Sequence, residues 1–219
     1  MNKVVVFDLD DTLYKEVDYL KSAFSEIASI ISEDIEMHPD VILSDMMQLY
    51  HNKENVFSRI LNKYQSLKYT ITDLIETYRN HKPKISLSSD IKQTLNKLQL
   101  YDINFGIITD GRSLQQRNKI EALGLDNYIE HIIISEEFGF EKPHIANYTY
   151  FQNIFPHMEY YYIGDNINKD FITPNQLGWK TICITDDGRN IHSQNIRVNS
   201  LYKPKHFINN FSELPQIII

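Results

Sequence analysis

The sequence predicts an α/β protein whose parallel sheet is interrupted, after its first strand, by an inserted block of four helices. Three observations carry this. Short apolar, β-branched runs alternate with helical segments of about ten residues through the second half of the chain, the pattern of βαβ units. Residues 16–80 show apolar spacing of three and four and nothing strand-like. All seven glycines lie beyond residue 100, so the turns and helix stops that glycine serves are concentrated there.

The elements follow in order. Val4-Val5-Val6-Phe7 reads as a buried strand, because a parallel strand covered on both faces is apolar throughout. Tyr19, Leu20, Phe24, Ile27, Ile30 and Ile31 place one face of a first helix. A second opens at Pro39, a favoured first-turn residue, and carries Val41, Ile42, Met46, Leu49 and Tyr50. A third runs through Val56, Ile60, Leu61 and Tyr64. The fourth starts at Thr70 with Asp73 three residues on, a capping-box pattern, and carries Leu74, Ile75 and Tyr78. Lys82-Pro83-Lys84 is the return linker, since a residue before proline is pushed out of the helical region.

Ser88 or Ser89 caps the next helix, through Ile91, Leu95 and Leu98. Ile103–Ile108 is a strand ending in Thr109-Asp110-Gly111, and a helix from Ser113 stops at Gly124. Ile132-Ile133-Ile134 forms the third strand, followed by the loop 138–143 and a helix to about Phe155. Tyr160–Ile163 is a strand ending in Gly164-Asp165. A short helix bent at Pro174 then leads to Gly178 and the strand Lys180–Thr185. The tail offers a strand near Phe207-Ile208 and a helix from Ser212. The expected architecture is a Rossmann-like parallel core of residues 1–14 and 84–219, with a helical insert of residues 15–83.

Composition narrows the class. A 219-residue chain with 42% hydrophobic and 12% aromatic residues builds one sizeable core plus a subdomain. A formal net charge of -7, with no basic run, argues against nucleic acid as a partner. Cys183 is the sole cysteine, so no internal disulfide forms; within Thr181-Ile182-Cys183-Ile184 it reads as a buried structural thiol. No stretch approaches the roughly 20 apolar residues that span a bilayer, and the first apolar run lasts four residues, unlike a signal peptide. The expectation is a cytoplasmic protein, monomer or homodimer, with no membrane partner.

The chemistry gathers at strand ends. Asp8, Asp10 and Asp11 follow the first strand, Thr109 ends the second, Lys142 follows the third, and Asp165 ends the fourth with Asp170 five residues on. Ligands of open α/β sheets sit in the crevice beyond these carboxyl ends. Each residue alone has an ordinary role: an acidic turn, a strand-end threonine, a loop lysine, a helix cap. Their joint order argues for one site. Closely spaced acids repel unless a cation or donors hold them, which points to a hard divalent cation with oxygen ligands. Acids, a hydroxyl and a lysine together form a kit for moving a phosphoryl group, in which a carboxylate can be the nucleophile.

These stretches resemble the haloacid dehalogenase (HAD) superfamily, in its helical-cap (C1, subfamily I) phosphatase branch. Asp8-Leu9-Asp10-Asp11-Thr12 matches its DxDxT motif and Thr109 its second. Lys142 in Glu141-Lys142-Pro143 matches the third, and Gly164-Asp165 through Asp170 the fourth. The resemblance implies a nucleophilic Asp8 that becomes an aspartyl-phosphate. It implies an Asp10 that protonates the leaving oxygen and then deprotonates water. It further implies Mg2+ held by Asp8, the Asp10 backbone carbonyl and Asp165, with Asp170 in support. Thr109 and the Asp110 N–H would hold phosphate, and Lys142 would neutralise charge.

The activity so implied is magnesium-dependent hydrolysis of a small phosphorylated metabolite, of the nucleotide or sugar phosphate class. Asp10 favours this over the family's dehalogenases, which lack it. Lys53, Lys63 and Lys68 in the insert would be needed for a phosphonatase Schiff base and read instead as solvated. A sugar phosphomutase is the alternative within the family, and a non-catalytic phospho-acceptor or binding module the alternative outside it. The acidic neighbours of Asp10 are expected to raise its pKa. Asp110 is expected to turn away or meet Arg112. The helical cap is expected to close over the site, with Tyr14, Tyr50, Arg59 and Lys63 as possible contacts, although packing or solvated surface suits each of them as well.

Overall fold

β1 (Lys3–Phe7) occupies the middle of a six-stranded sheet, and Val4 to Phe7 are wholly shielded from solvent. A computed structural model of the chain describes residues 2–65, 68–194 and 197–219. The other strands are β2 (Asn104–Thr109), β3 (His131–Ile134), β4 (Glu159–Gly164), β5 (Lys180–Ile184) and β6 (His206–Ile208). They lie in the order β3-β2-β1-β4-β5-β6, and every pairing is parallel. The chain builds outward from β1 to one edge and then returns to build outward on the other side. The strand order therefore reverses between β1 and β4, the position where a doubly wound, Rossmann-like sheet opens a crevice.

Register aligns the strand ends there. Phe7 pairs with Ile107 on one side and Ile163 on the other, so Asp8, the end of β2 and the end of β4 emerge at one level. The Asp8 N–H continues the ladder, donating to the Ile163 carbonyl at 2.8 Å.

Two compact units form, Met1–Glu16 with Ser86–Ile219, and Val17–Ile85. The joins fall two residues past those expected from the sequence. In the first unit, β1 side chains alternate between faces. Val4 and Val6 join Ile108, Tyr148, Phe151, Tyr162, Trp179 and Cys183 in one core layer. Phe7 turns to the other face, where its ring packs against Phe105 and Phe211. The covering helices are α5 (Ser89–Gln99), α6 (Ser113–Leu123), α7 (Ser135–Phe138), α8 (Ile145–Ile154), α9 (Ile172–Gln176) and α10 (Leu214–Ile218). Gly106 lets α8 approach the sheet: a Cβ there would lie 2.1 Å from the Phe151 ring.

The short α7 departs from the expected strand end and loop. The Ser135 hydroxyl accepts the Gly111 N–H at 2.9 Å, and Gly139 in the left-handed region ends the turn. The final helix starts at Leu214 rather than Ser212, after a 3-10 turn whose capping box joins Asn210 and Glu213.

The second unit contains α1 from Val17 onward (α1 spans Glu16–Ile35), α2 (Pro39–His51), α3 (Val56–Tyr64) and α4 (Ile71–Asn80). Tyr19, Leu20, Phe24, Ile27 and Ile31 form the buried stripe of α1, met by Ile42, Met46, Ile60 and Leu74. Phe24 is the centre of an aromatic group with Tyr50, Phe57 and Tyr78. Pro39 stands in the first turn of α2, and the Thr70–Asp73 capping box is formed on both sides. Lys63 pairs with Asp45, Lys68 with Asp34 and Arg59 with Glu54, all with exposed cations. Among the described residues no helix is long and apolar enough to cross a membrane.

Candidate active site

The site is built on the tight turn that follows β1. Leu9 accepts the Leu13 N–H, and Asp11 takes a left-handed conformation (φ 56°) that folds the turn back. The Asp11 carboxylate fixes this shape, accepting the Glu16 N–H on one oxygen and the Ile191 N–H on the other, each at 2.9 Å. Asp8 and Asp10 are thereby left facing the crevice. Thr12 donates to Asp8 Oδ2 at 3.3 Å.

Lys142 reaches the same place. Its Nζ donates to Asp8 Oδ1 at 2.6 Å and to Asp170 Oδ1 at 2.8 Å, with the lysine side chain only 4% exposed. A buried ammonium of this kind is held charged by its partners. Burial opposes the charge, yet Asp170 and Asp8 outweigh it and the pKa lies well above the ordinary lysine value. Asp170 is itself fixed by the Asn166 N–H at 2.8 Å and the Tyr162 hydroxyl at 3.3 Å. Gly164 makes room for it, since a Cβ there would lie 2.4 Å from Asp170 Oδ2.

Asp8, Asp165 and Asp170 are all buried, each offering a carboxylate oxygen within 4.8 Å of the others. Burial is the main reason that Asp8 is raised to about 7, with repulsion from Asp170 and Asp10 added and Lys142 opposing. Asp165 is raised to about 9 by burial and by Asp8, Asp170 and Asp11. Three buried acids facing a single lysine, with oxygen as the only donor type, suit a hard divalent cation. Asn190 donates to Asp165 Oδ2 at 3.0 Å and in turn accepts from Lys15 at 2.6 Å.

Asp10 departs from the expectation. Burial alone would raise its pKa, but Lys119 donates to Oδ1 at 2.7 Å, Tyr14 donates to the same oxygen, and Gln116 donates to Oδ2 at 2.9 Å. Together they hold Asp10 below the usual range. Its nearest charged neighbour is a cation, not another acid. For Asp110, one of the two alternatives, a partner in Arg112, is replaced by other donors. Its carboxylate accepts the Lys142 N–H at 2.9 Å and the Lys169 ammonium at 3.0 Å, instead of meeting Arg112. Thr109 is buried, and its hydroxyl accepts from Gln116 at 2.6 Å. Tyr14 is tied to Asp10. Cys183 is buried, and burial pushes its thiol up.

A cavity of about 150 Å³ is lined by Asp8, Asp10, Asp11, Thr109, Asp110, Lys142 and Asp165 and also by Glu16, Asn166, Lys169 and His192. The structure thus gathers every residue singled out from the strand ends. Reading the sequence missed Gln116, Lys119, Lys169 and Asn190. Gln116 and Lys119 stand three apart on α6, where a polar face ordinarily means solvent, and only their contact with Asp10 distinguishes them.

A parallel sheet with this strand order and this strand-end constellation defines a class of hydrolase. The chain belongs to the haloacid dehalogenase-like hydrolase family, whose model it matches over residues 5–184. It is 29% identical over 198 residues to the glyceraldehyde 3-phosphate phosphatase of Methanocaldococcus jannaschii, covering 84% of this chain and 85% of that one. It is 26% identical to the enzyme of the same name from Pyrococcus abyssi, covering 83% and 81%. Among solved structures, it resembles the HAD-hydrolase YfnB from Bacillus subtilis bound to magnesium, with a TM-score of 0.67 at 20% identity over 99% of this chain and 98% of that one. A HAD phosphatase from Thermococcus onnurineus gives 0.62 at 19% identity over 99% and 97%. At these identities the structures establish the fold.

Proposed function

We propose that this chain is a magnesium-dependent phosphatase that hydrolyses a small sugar phosphate of the triose phosphate kind through an aspartyl-phosphate on Asp8. The observation that carries the reading is Lys142 bridging Asp8 and Asp170 beside a cavity that Asp8, Asp10, Lys142 and Asp165 line. The names of the relatives support phosphate ester hydrolysis and the substrate class. Membership of a hydrolase family sets aside a non-catalytic phospho-acceptor module.

In this reading Asp8 attacks phosphorus, and Lys142 offsets the charge that accumulates there. Thr109 and the Asp110 N–H hold the phosphoryl oxygens. Asp10 gives a proton to the departing oxygen and then takes one from the water that cleaves the acyl phosphate. Asp8, the Asp10 carbonyl and Asp165 would hold magnesium, supported by Asp170. When bound, the ion neutralises charge between the carboxylates and the phosphate. Helical unit 17–85 corresponds to the insert expected from the sequence as a cap.

The test is phosphate release from glyceraldehyde 3-phosphate by the purified protein, with and without magnesium, alongside Asp8→Asn. Turnover is expected only with magnesium and intact Asp8. Full activity in excess chelator, or in the variant, overturns the reading.

A further inference from the structure

We propose that Gln116 and Lys119 are positioning residues which aim the Asp10 carboxylate at the leaving oxygen and at the attacking water. The inference rests on the role given to Asp10 above and adds the contacts that orient its carboxylate.

Lysine is almost never fully buried unless it is paired. The Lys119 side chain is 2% exposed and directs its ammonium to Asp10 Oδ1 at 2.7 Å. Taking such a pair out of water is costly and adds little to stability by itself, so what it contributes here is geometry. Gln116, one turn earlier on α6, is equally buried and donates to Oδ2 at 2.9 Å. Its amide cannot be reversed, because the oxygen would then face a carboxylate oxygen. The two side chains hold both ends of the carboxylate and so fix its plane.

The count of acceptor sites shows what remains. A carboxylate has about four lone-pair sites. Lys119 and Tyr14 occupy Oδ1, and Gln116 takes one site on Oδ2. Among the described residues, the spare site is on Oδ2, which leaves that oxygen open to the leaving group and to the water. The same Gln116 nitrogen donates to Thr109 Oγ1 at 2.6 Å. That bond fills an acceptor site on the hydroxyl and leaves its own proton free to point towards phosphate. One amide therefore sets the relative placement of the proton-transfer group and of a phosphate-holding group.

The experiment compares Lys119→Met with wild type on two esters, by kcat/KM. Glyceraldehyde 3-phosphate has a poor alkoxide leaving group that needs a proton, whereas p-nitrophenyl phosphate has a good one that does not. The expected loss is about 100-fold on the alkyl ester and less than about tenfold on the aryl ester. The aryl ester should also give a burst of nitrophenolate of about one equivalent per site, followed by slow turnover, because the base for the second step is misplaced too. Gln116→Met removes a neutral group, protects against the possibility that the charge deletion prevents folding, and should show the same selectivity. Equal losses on both esters indicate a merely structural role and overturn the proposal, as does full activity of both variants. Wild-type protein that cleaves neither ester overturns the phosphatase reading itself, a result distinct from the other two.

Discussion

Lys142 Nζ lies 2.6 Å from Asp8 Oδ1, joining two residues 134 positions apart in the chain with almost no water around either. Among the described residues, the lysine is the one side-chain cation seen paired with the three-acid cluster. The consequences can be measured.

Replacing Lys142 with methionine leaves Asp8 and Asp170 buried without their cation. Breaking a buried pair in this way costs about 3–5 kcal/mol. Urea denaturation of the metal-free variant should show this loss. Turnover should fall by about 100- to 1000-fold or more, as when a preorganised donor is removed from a developing charge. Stability equal to wild type in urea would contradict the assignment.

The pH dependence of the metal-free protein follows from Asp8, raised to about 7, and Asp165, raised to about 9, both far above the ordinary carboxylate range. Between the unfolded and folded values the native state keeps protons that the unfolded chain has lost. Stability therefore falls as pH rises through this window. Glu16, raised to about 8 mainly by burial, acts in the same direction. Thermal denaturation in chelator should give a lower Tm at about pH 8.5 than at about pH 5.5. Magnesium should raise the Tm most at the alkaline end, since a ligand that binds only the native state stabilises it. Asp165→Asn should flatten the slope.

Gly164→Ala tests the seat of Asp170. The added Cβ would lie 2.4 Å from Asp170 Oδ2 and 2.8 Å from its carboxyl carbon. Lys142, Tyr162 and the Asn166 N–H all hold that carboxylate, so it has nowhere to move without releasing Lys142. A destabilisation of about 1–3 kcal/mol is expected, typical of overpacking, together with a fall in kcat larger than any change in KM. An alanine variant with wild-type kcat would show that the Asp170–Lys142 contact is dispensable.

Thr70→Ala provides the contrast. It removes the acceptor for the Asp73 N–H at the start of α4, while Asp73 still accepts the Thr70 N–H at 2.7 Å. The expected cost is about 1 kcal/mol of stability with kcat unchanged. A large change in kcat would mean that this helix end takes part in turnover.

The features legible in the sequence are those that depend on neighbours along the chain. The buried run of β1, the proline opening α2, the Thr70–Asp73 capping box and the glycine ending α6 are all local, and each lies where the sequence pattern placed it. So do the polar residues at the ends of β1, β2 and β4, because a parallel sheet brings the carboxyl ends of its strands to one edge. The length of α7 was not legible. It depends on the Ser135 hydroxyl meeting Gly111, 24 residues away.

By itself, then, the sequence determined the α/β class, the order of the elements and the acids, threonine and lysine that line the crevice, since periodicity and strand-end position are short-range properties. Only the tertiary structure decided the charge state around Asp10, the turning of Asp110 to Lys169, and the use of Asn190 and Ile191 to fix Asp165 and Asp11. The physical reason is that a pKa and a hydrogen bond depend on which distant side chains share a water-poor space. Lys119 lies 109 residues from Asp10, and nothing in the intervening chain reveals that the two will meet.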